Sequence, residues 1–295
     1  MKIAVASGKG GTGKTTVATS LFKSISDIKR TKNDAEMVFL DCDVEAPNAH
    51  LFLTPEIKDK QEVSIKIPSV DEAKCTHCGL CAEVCQFNAI AVIGKKVLVF
   101  PQLCHGCGSC ALMCPEKAIS EVKNTIGYTE SGKVFSDIDF AHGYLNIGEP
   151  MAIPVISNVK SKLDDHKNGI AVLDASPGTS CPVVETIRDT DFVLLVTEPT
   201  PFGLHDLKLA FEVAKILKVP AAVVINRSNI GDNSVQEFCD SNDIPVLMSI
   251  PYEKRIAEGI AVGKLLIDIV PEYKEKFENI FLHISNVIDN NEGQV

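Results

Sequence analysis

The octapeptide Gly8-Lys9-Gly10-Gly11-Thr12-Gly13-Lys14-Thr15 constrains this chain more than any other segment. Its spacing, G-x-x-x-x-G-K-S/T, falls between an apolar run from Lys2 to Ser7, which reads as a buried strand, and Thr15 to Ile28, whose apolar residues recur at helical intervals. Glycines in such a loop let consecutive backbone N–H groups turn inward around an anion, and the helix that follows brings its positive end to the same point. Phosphate oxygens are the natural ligand. Lys14 is placed to reach β- and γ-phosphates and the Thr15 hydroxyl to hold Mg²⁺, with Gly8, Gly10, Gly11, Thr12, Gly13 and Thr16 surrounding the nucleotide.

Short, continuous apolar runs follow at 37–41, 170–174, 192–196, 222–225 and 246–248, with helical candidates at 183–189, 203–217, 233–241 and 253–262. Strands without polar alternation are strands covered on both faces, and their alternation with helices predicts a doubly wound α/β fold with a mostly parallel sheet. The segment 63–120 interrupts this rhythm. The expected organisation is a nucleotide-binding domain in two parts, 1–62 and 121–295, around an inserted small α+β module. Residues 121–148 carry weak strand signals that fit a hairpin of either part.

Eight of the eleven cysteines lie in the insert, in two runs spaced C-x2-C-x2-C-x3-C: Cys75, Cys78, Cys81, Cys85 and Cys104, Cys107, Cys110, Cys114. The runs repeat with a period of 29 residues and share eight of sixteen positions between Cys75–Ile90 and Cys104–Ile119. The N-terminus reads as no export signal, so the cysteines point to metal ligation in a reducing cytoplasm rather than to disulfides. Structural zinc draws separated pairs of cysteines, whereas triply spaced, duplicated runs resemble the bacterial ferredoxin pattern for 4Fe-4S clusters. In that pattern the fourth cysteine of each run ligates the other cluster. The resemblance therefore implies one set of Cys75, Cys78, Cys81 and Cys114 and a second of Cys104, Cys107, Cys110 and Cys85. The first run departs from it in carrying Gln86 where the second has Pro115.

The form K-G-G-x-G-K-T-T resembles the deviant phosphate loop of the MinD/ParA/Mrp ATPases. That resemblance implies ATP as ligand, hydrolysis, and a homodimer or a dimer with a related ATPase in which Lys9 reaches the partner's nucleotide. It implies that Asp43 orients the attacking water, that Asp41 lies near the Mg²⁺ shell, that Asp174 is the carboxylate facing the metal and that the Gly178 N–H approaches the γ-phosphate. Helix capping is the alternative for Asp41 or Asp43. Asn226, Arg227 and Pro251 stand where the family contacts adenine. Cys181 lies seven residues beyond Asp174, an offset similar to that of a cysteine that ligates the bridging cluster in the nitrogenase iron protein, which implies a thiol that receives or holds a metal centre; packing or capping is its alternative. The chain departs from Mrp-type carriers in lacking a C-terminal Cys-x-x-Cys pair and from MinD in lacking a basic membrane helix.

Composition narrows the partners. Twenty-nine Lys and Arg against 39 Asp and Glu give a net charge of −10, unfavourable for nucleic acid or an anionic membrane. No apolar stretch has bilayer length, and Phe277, Ile280, Phe281, Ile284, Val287 and Ile288 fall on one helical face with acidic flanks, the pattern of a helix docked on its own domain. The leading expectation is a cytoplasmic ATPase that couples ATP to cluster assembly or transfer on a protein acceptor. ATP-gated electron delivery to an acceptor is the alternative, followed by a ParA/MinD-like positioning ATPase.

Overall fold

A computed structural model describes residues 1–32, 36–166 and 168–292. Its strands, in chain order, are β1 (Lys2–Ala6), β2 (Met37–Asp41), β3 (Glu56–Val70), β4 (Ile90–Ile93), β5 (Lys96–Val99), β6 (Ile119–Val134), β7 (Ile138–Leu145), β8 (Ile170–Asp174), β9 (Phe192–Thr197), β10 (Ala221–Asn226) and β11 (Val246–Ile250). Nine of them form one sheet in the order β11-β10-β9-β1-β8-β2-β7-β6-β3, and β4 pairs with β5 in a separate hairpin. From β11 to β7 all neighbours are parallel, while β6 runs antiparallel to β7 and to β3.

Successive residues of a strand point to opposite faces, and here both faces are covered, which is why the central strands lack polar alternation. Ile3 and Val5 of β1 join one core with Phe39, Phe140, Val172, Leu194 and Val224, whereas Ala4 and Ala6 face the other side with Val193, Leu195 and Val223. The first face is closed by the helix Lys14–Lys32, through Val17, Leu21, Phe22 and Ile25, and by the C-terminal helix Tyr273–Glu292. Phe277, Ile280, Phe281, Ile284 and Ile288 are buried there, so the expected apolar stripe is spent on the molecule's own core. Among the described residues no helix is long and apolar enough to cross a membrane.

The strands β3 and β6, 15 and 16 residues long, form an extended ribbon. Its base is in the sheet, because β7 pairs with residues Gly127–Val134 of β6; beyond that point only β3 accompanies β6, from Ser64↔Thr125 to Val70↔Ile119. At ~3.3 Å per residue the free part is about 20 Å long. Since β6 opposes β7, and β7 is parallel to β2, the ribbon leaves the sheet at the edge where the parallel strands end. That is the edge of the phosphate loop. The ribbon is continuous with the main sheet across residues 63 and 120, and the hairpin formed by β6 and β7 is joined to the sheet through β2.

At the tip of the ribbon the sequence repeat becomes a backbone repeat. His77 and Gly106, Gly79 and Gly108, and Asn88 and Lys117 are pairs 29 residues apart, and each pair shares a left-handed conformation, with φ of 59° and 66°, 86° and 75°, and 53° and 49°. The short helices Leu80–Glu83 and Ser109–Leu112 are likewise equivalent.

Candidate functional site

The parallel strands end in the loops that carry the predicted phosphate-binding chemistry. Lys14, at the first turn of its helix and 7% exposed, donates to Asp174 Oδ1 at 2.8 Å and lies 4.0 Å from Asp43 Oδ2. Thr15 Oγ1 donates to the other oxygen, Asp174 Oδ2, at 2.6 Å. The end of β8 thus holds both the lysine and the hydroxyl of the loop that follows β1. Burial works against the lysine's charge, but Asp174, Asp43 and Asp41 together outweigh it and keep its pKa above the ordinary value.

Asp41 and Asp43 have different tasks. Asp41, expected beside the Mg²⁺ shell, directs its oxygens into its own loop: Asp43 N–H donates to Oδ1 at 3.1 Å, and the N–H groups of Asn48 and Ala49 donate to Oδ2 at 3.0 and 2.9 Å. It braces residues 42–49, with burial and then the neighbouring Asp174 raising its pKa to about 7. Asp43 faces the cavity, its pKa raised to about 6 by burial against the pull of Lys14. A carboxyl near that value is suited to take a proton from an attacking water. Gly178, expected with its N–H on a γ-phosphate, donates instead to the Ser7 carbonyl at 2.9 Å, folding its loop onto the end of β1.

A cavity of about 340 Å³ runs from Gly10, Gly11, Gly13 and Lys14 past Asp43 and Asn48 to Asn226, Arg227, Pro251 and Tyr252. That volume is within the range of small-molecule sites. Its wall includes one buried oxygen without a protein partner, Asn48 Oδ1, and a second, Thr12 Oγ1, lies in the phosphate loop itself. Lys14, Thr15 and Asp43 fit a nucleotide with Mg²⁺ bound there. Asn226 is already engaged at both ends of its amide, donating to the Thr12 carbonyl at 2.8 Å and accepting from Arg227 N–H at 2.9 Å. It therefore fixes the loop as well as lining the cavity. Gly13 shows why no side chain is tolerated: its φ is +90°, and a Cβ would lie 2.3 Å from Asn226 Nδ2. A larger cavity, about 680 Å³, opens at the opposite edge, where β2 and β7 begin. Within it Lys133 pairs with Asp139 at 2.9 Å and His166 Nε2 lies 3.3 Å from the same carboxylate, and it contains none of the loop residues.

Lys9, expected to reach across a dimer, pairs within its own chain with Glu198 Oε2 at 3.2 Å, and Arg227 takes Glu198 Oε1 at 2.6 Å. Sequence reasoning passed over Glu198 and Asn48. The first had a signal, a carboxylate at the end of the apolar run of β9; the second lies seven residues after Asp41 and becomes visible only when the loop curls back.

The cysteine module has two small cavities. One is lined by Cys75, Cys78, Cys81 and Cys114, with Val70, Val92, Val97 and Ile119 behind them. The other is lined by Cys85, Cys104, Cys107 and Cys110. Each cavity collects three cysteines of one run and the fourth of the other, the grouping that the ferredoxin pattern implies. Among the described residues no three His, Cys, Asp or Glu side chains converge as a single metal ion requires. Cys181 lines neither cavity and is exposed at the first residue of the helix Cys181–Ile187. Cys42 and Cys239 are buried.

Two proteins of Methanocaldococcus jannaschii, the uncharacterized proteins MJ0578 and MJ0579, are similar over most of their length. The first is 32% identical over 290 residues, 98% of each chain, and the second 33% over 271 residues, 90% of each. The fold is shared with the septum site-determining protein MinD complexed with Mg-ADP from Pyrococcus horikoshii, at a TM-score of 0.55 and 18% identity over 94% of this chain and 92% of that one. It is shared with a ParA family ATPase from Chlorobium tepidum, at a TM-score of 0.56 and 12% identity over 96% and 98%. The likeness to these two structures concerns the fold. A family model described as the CobQ/CobB/MinD/ParA nucleotide binding domain matches residues 3–267, and the chain belongs to that family.

Proposed function

We infer that the protein is an ATP-hydrolysing switch that gates delivery of low-potential electrons from two resident 4Fe-4S clusters to a protein acceptor. One observation carries the choice over cluster assembly or transfer, the leading expectation from sequence. Each small cavity is lined by four cysteines, which could supply one thiolate to each iron of a cluster held there and would leave no iron open for hand-over. Full thiolate ligation is what a retained redox centre has. When bound, the clusters supply one-electron chemistry; the chain supplies their ligands and the nucleotide-dependent motion.

The switch is built from loops 42–49 and 174–181, which meet at Lys14. ATP phosphates compete with Asp174 for the Lys14 ammonium and with Ser7 for the Gly178 N–H, so binding and hydrolysis each rearrange both loops. The ribbon leaves the sheet at this same edge, which supports a common docking face for nucleotide-dependent dimerisation and electron exit. Lys9 crosses to the partner's nucleotide in the dimer, as the family resemblance implies. The partner is a second copy or a related chain.

Anaerobically reconstituted protein tests this by electron paramagnetic resonance, reduced with and without Mg-ATP, with an iron chelator present. The expected result is eight irons per chain, reversible reduction, a spectrum or potential that responds to nucleotide, and no iron lost to the chelator on turnover. Release of iron stimulated by ATP, without a redox response, overturns electron delivery in favour of transfer. Protein that takes up zinc rather than iron overturns both.

A further inference from the structure

The duplication supplies an internal control. Three pairs of positions 29 residues apart share a left-handed backbone, so the two cysteine sets can be compared by the side chains that occupy equivalent positions and by what the ribbon packs against them. The halves share one sulfur contact: Ala89 N–H donates to Cys85 Sγ and Ala118 N–H to Cys114 Sγ, both at 3.3 Å. Since Cys85 belongs to the second set and Cys114 to the first, this pair cancels.

Two further contacts have no counterpart among the described residues of the first half. Gly106 N–H donates to Cys104 Sγ at 3.4 Å, and the Ser109 hydroxyl lies 3.4 Å from Cys107 Sγ. For a thiolate the hydroxyl is the only donor of that second pair. The repeat places Leu80 opposite Ser109, a side chain that cannot donate at all. Glycine at 106 is required by packing, since a Cβ there would lie 3.1 Å from the Lys66 carbonyl of the ribbon. The fixed charges beside the second set oppose each other, Lys66 pairing with Glu121 at 4.0 Å. Cys104 is 9% exposed, and such burial resists added negative charge, but it is the same sulfur that Gly106 serves. In contacts to sulfur the second set therefore has two additional donors, and donors to sulfur stabilise a reduced cluster.

We propose that Ser109, with the Gly106 N–H, makes the Cys85/Cys104/Cys107/Cys110 set the higher-potential one, so that a single electron added to the protein rests there rather than on the Cys75/Cys78/Cys81/Cys114 set. This rests on the cluster reading above and adds a direction to it. The favoured set lies against Lys66, Pro68 and Glu121, while the other lies at Val70 and Ile119, further out along the ribbon. The electron is therefore held on the side of the module nearer the nucleotide loops.

Reciprocal exchange tests it. Wild type, Ser109→Leu and Leu80→Ser, each reconstituted and assayed for iron, are titrated anaerobically with dithionite and mediator dyes while the two one-electron steps are followed by paramagnetic resonance. Ser109→Leu is expected to lower the upper step and leave the lower one in place, with about a tenfold loss in the equilibrium preference, or about 59 mV for a one-electron couple. Leu80→Ser is expected to raise the lower step and leave the upper. Should Ser109→Leu cost iron, Ser109→Ala carries the same expectation. Fully loaded variants in which Ser109→Leu or Ser109→Ala shifts the lower step, or neither, overturn the assignment, whereas wild-type protein without iron overturns the cluster reading itself.

Discussion

The ammonium of Lys9 lies 3.2 Å from Glu198 Oε2, inside its own chain. Glu198 is buried at the end of β9 and has its other oxygen on Arg227, so it is a fixed post that Lys9, one-third exposed, would have to leave in the proposed dimer. Breaking a partly exposed ion pair costs about 0.2–1 kcal/mol, which is a factor of roughly 1.5 to 5 in an equilibrium. Glu198→Gln should therefore strengthen ATP-dependent dimerisation by a few fold in analytical ultracentrifugation. Lys9→Ala should retain nucleotide binding and lose dimerisation and turnover.

Lys14 is the cation shared by Asp174, Asp43 and Asp41. Lys14→Ala leaves those buried carboxylates without it, and removing one partner of a buried pair costs on the order of 3 kcal/mol. Urea denaturation at pH 7 should show that loss in nucleotide-free protein, with part of it recovered at pH 5, where Asp43 takes a proton. Lys14→Met would show the same loss, because the missing feature is charge rather than volume.

Much of this site was legible in the sequence, for a physical reason. Phosphate binding needs glycines, a lysine and a hydroxyl close together along the chain, at the junction of a strand and a helix, so local pattern suffices. The apolar runs of β1, β2, β8, β9, β10 and β11 were equally plain, being buried on both faces. What escaped depends on strands far apart in sequence. In register, Asp174 faces Asp41, Asp41 faces His142, His142 faces Glu130 and Glu130 faces Lys60, so one row of ionisable residues crosses five strands from the phosphate site to the ribbon. Within it His142 Nε2 and Glu130 Oε2 are 3.1 Å apart, and Lys60 donates to Glu130 at 3.0 Å. Nothing in the sequence around His142 announces that neighbour, because β6 and β7 alternate polar and apolar residues weakly. The bracing contacts of Asp41 were hidden for a similar reason: its partners, the N–H groups of Asn48 and Ala49, are backbone groups, which carry no side-chain signature.

Stability of the nucleotide-free protein should depend on pH through Asp43 and, in the same direction, through Asp41, and Asp43 is the one that can be replaced without cutting the 42–49 loop from its brace. The pKa of Asp43 is raised from 3.8 to about 6, so between those values the folded chain binds a proton that the unfolded chain has released. The stabilisation is complete below pH 4 and declines as pH rises through 6, by on the order of 3 kcal/mol for a shift of about two units. Chemical denaturation from pH 4 to 8 should show that decline in wild type and a flatter profile in Asp43→Asn. A profile that rises over the same interval would mean that Asp43 is held ionised.

Gly13→Ala should strongly weaken nucleotide binding without unfolding the chain. The substitution combines φ of +90° with a Cβ 2.3 Å from Asn226 Nδ2, so the amide must leave the Thr12 carbonyl and the loop loses its anchor. Adding Asn226→Ala relieves the clash but not the backbone strain. Calorimetry with Mg-ADP should therefore find the double variant no weaker than Gly13→Ala alone, a non-additive result expected of residues in contact.

The pairing of cysteines across the repeat gives the sharpest check on the module. Because Cys114 lines the cavity of the first run and Cys85 that of the second, Cys114→Ser should empty the set containing Cys75, Cys78 and Cys81, sparing its own neighbours Cys104, Cys107 and Cys110. Each single variant should keep about half the iron, and the two should keep different halves. If the upper one-electron step belongs to the second set, it survives in Cys114→Ser and disappears in Cys85→Ser. Alkylation of the anaerobic variants followed by mass spectrometry reads the same result without redox chemistry: in Cys114→Ser the thiols of Cys75, Cys78 and Cys81 become reactive, and those of Cys104, Cys107 and Cys110 stay protected. Reactivity at Cys104, Cys107 and Cys110 instead would mean that each run ligates its own cluster.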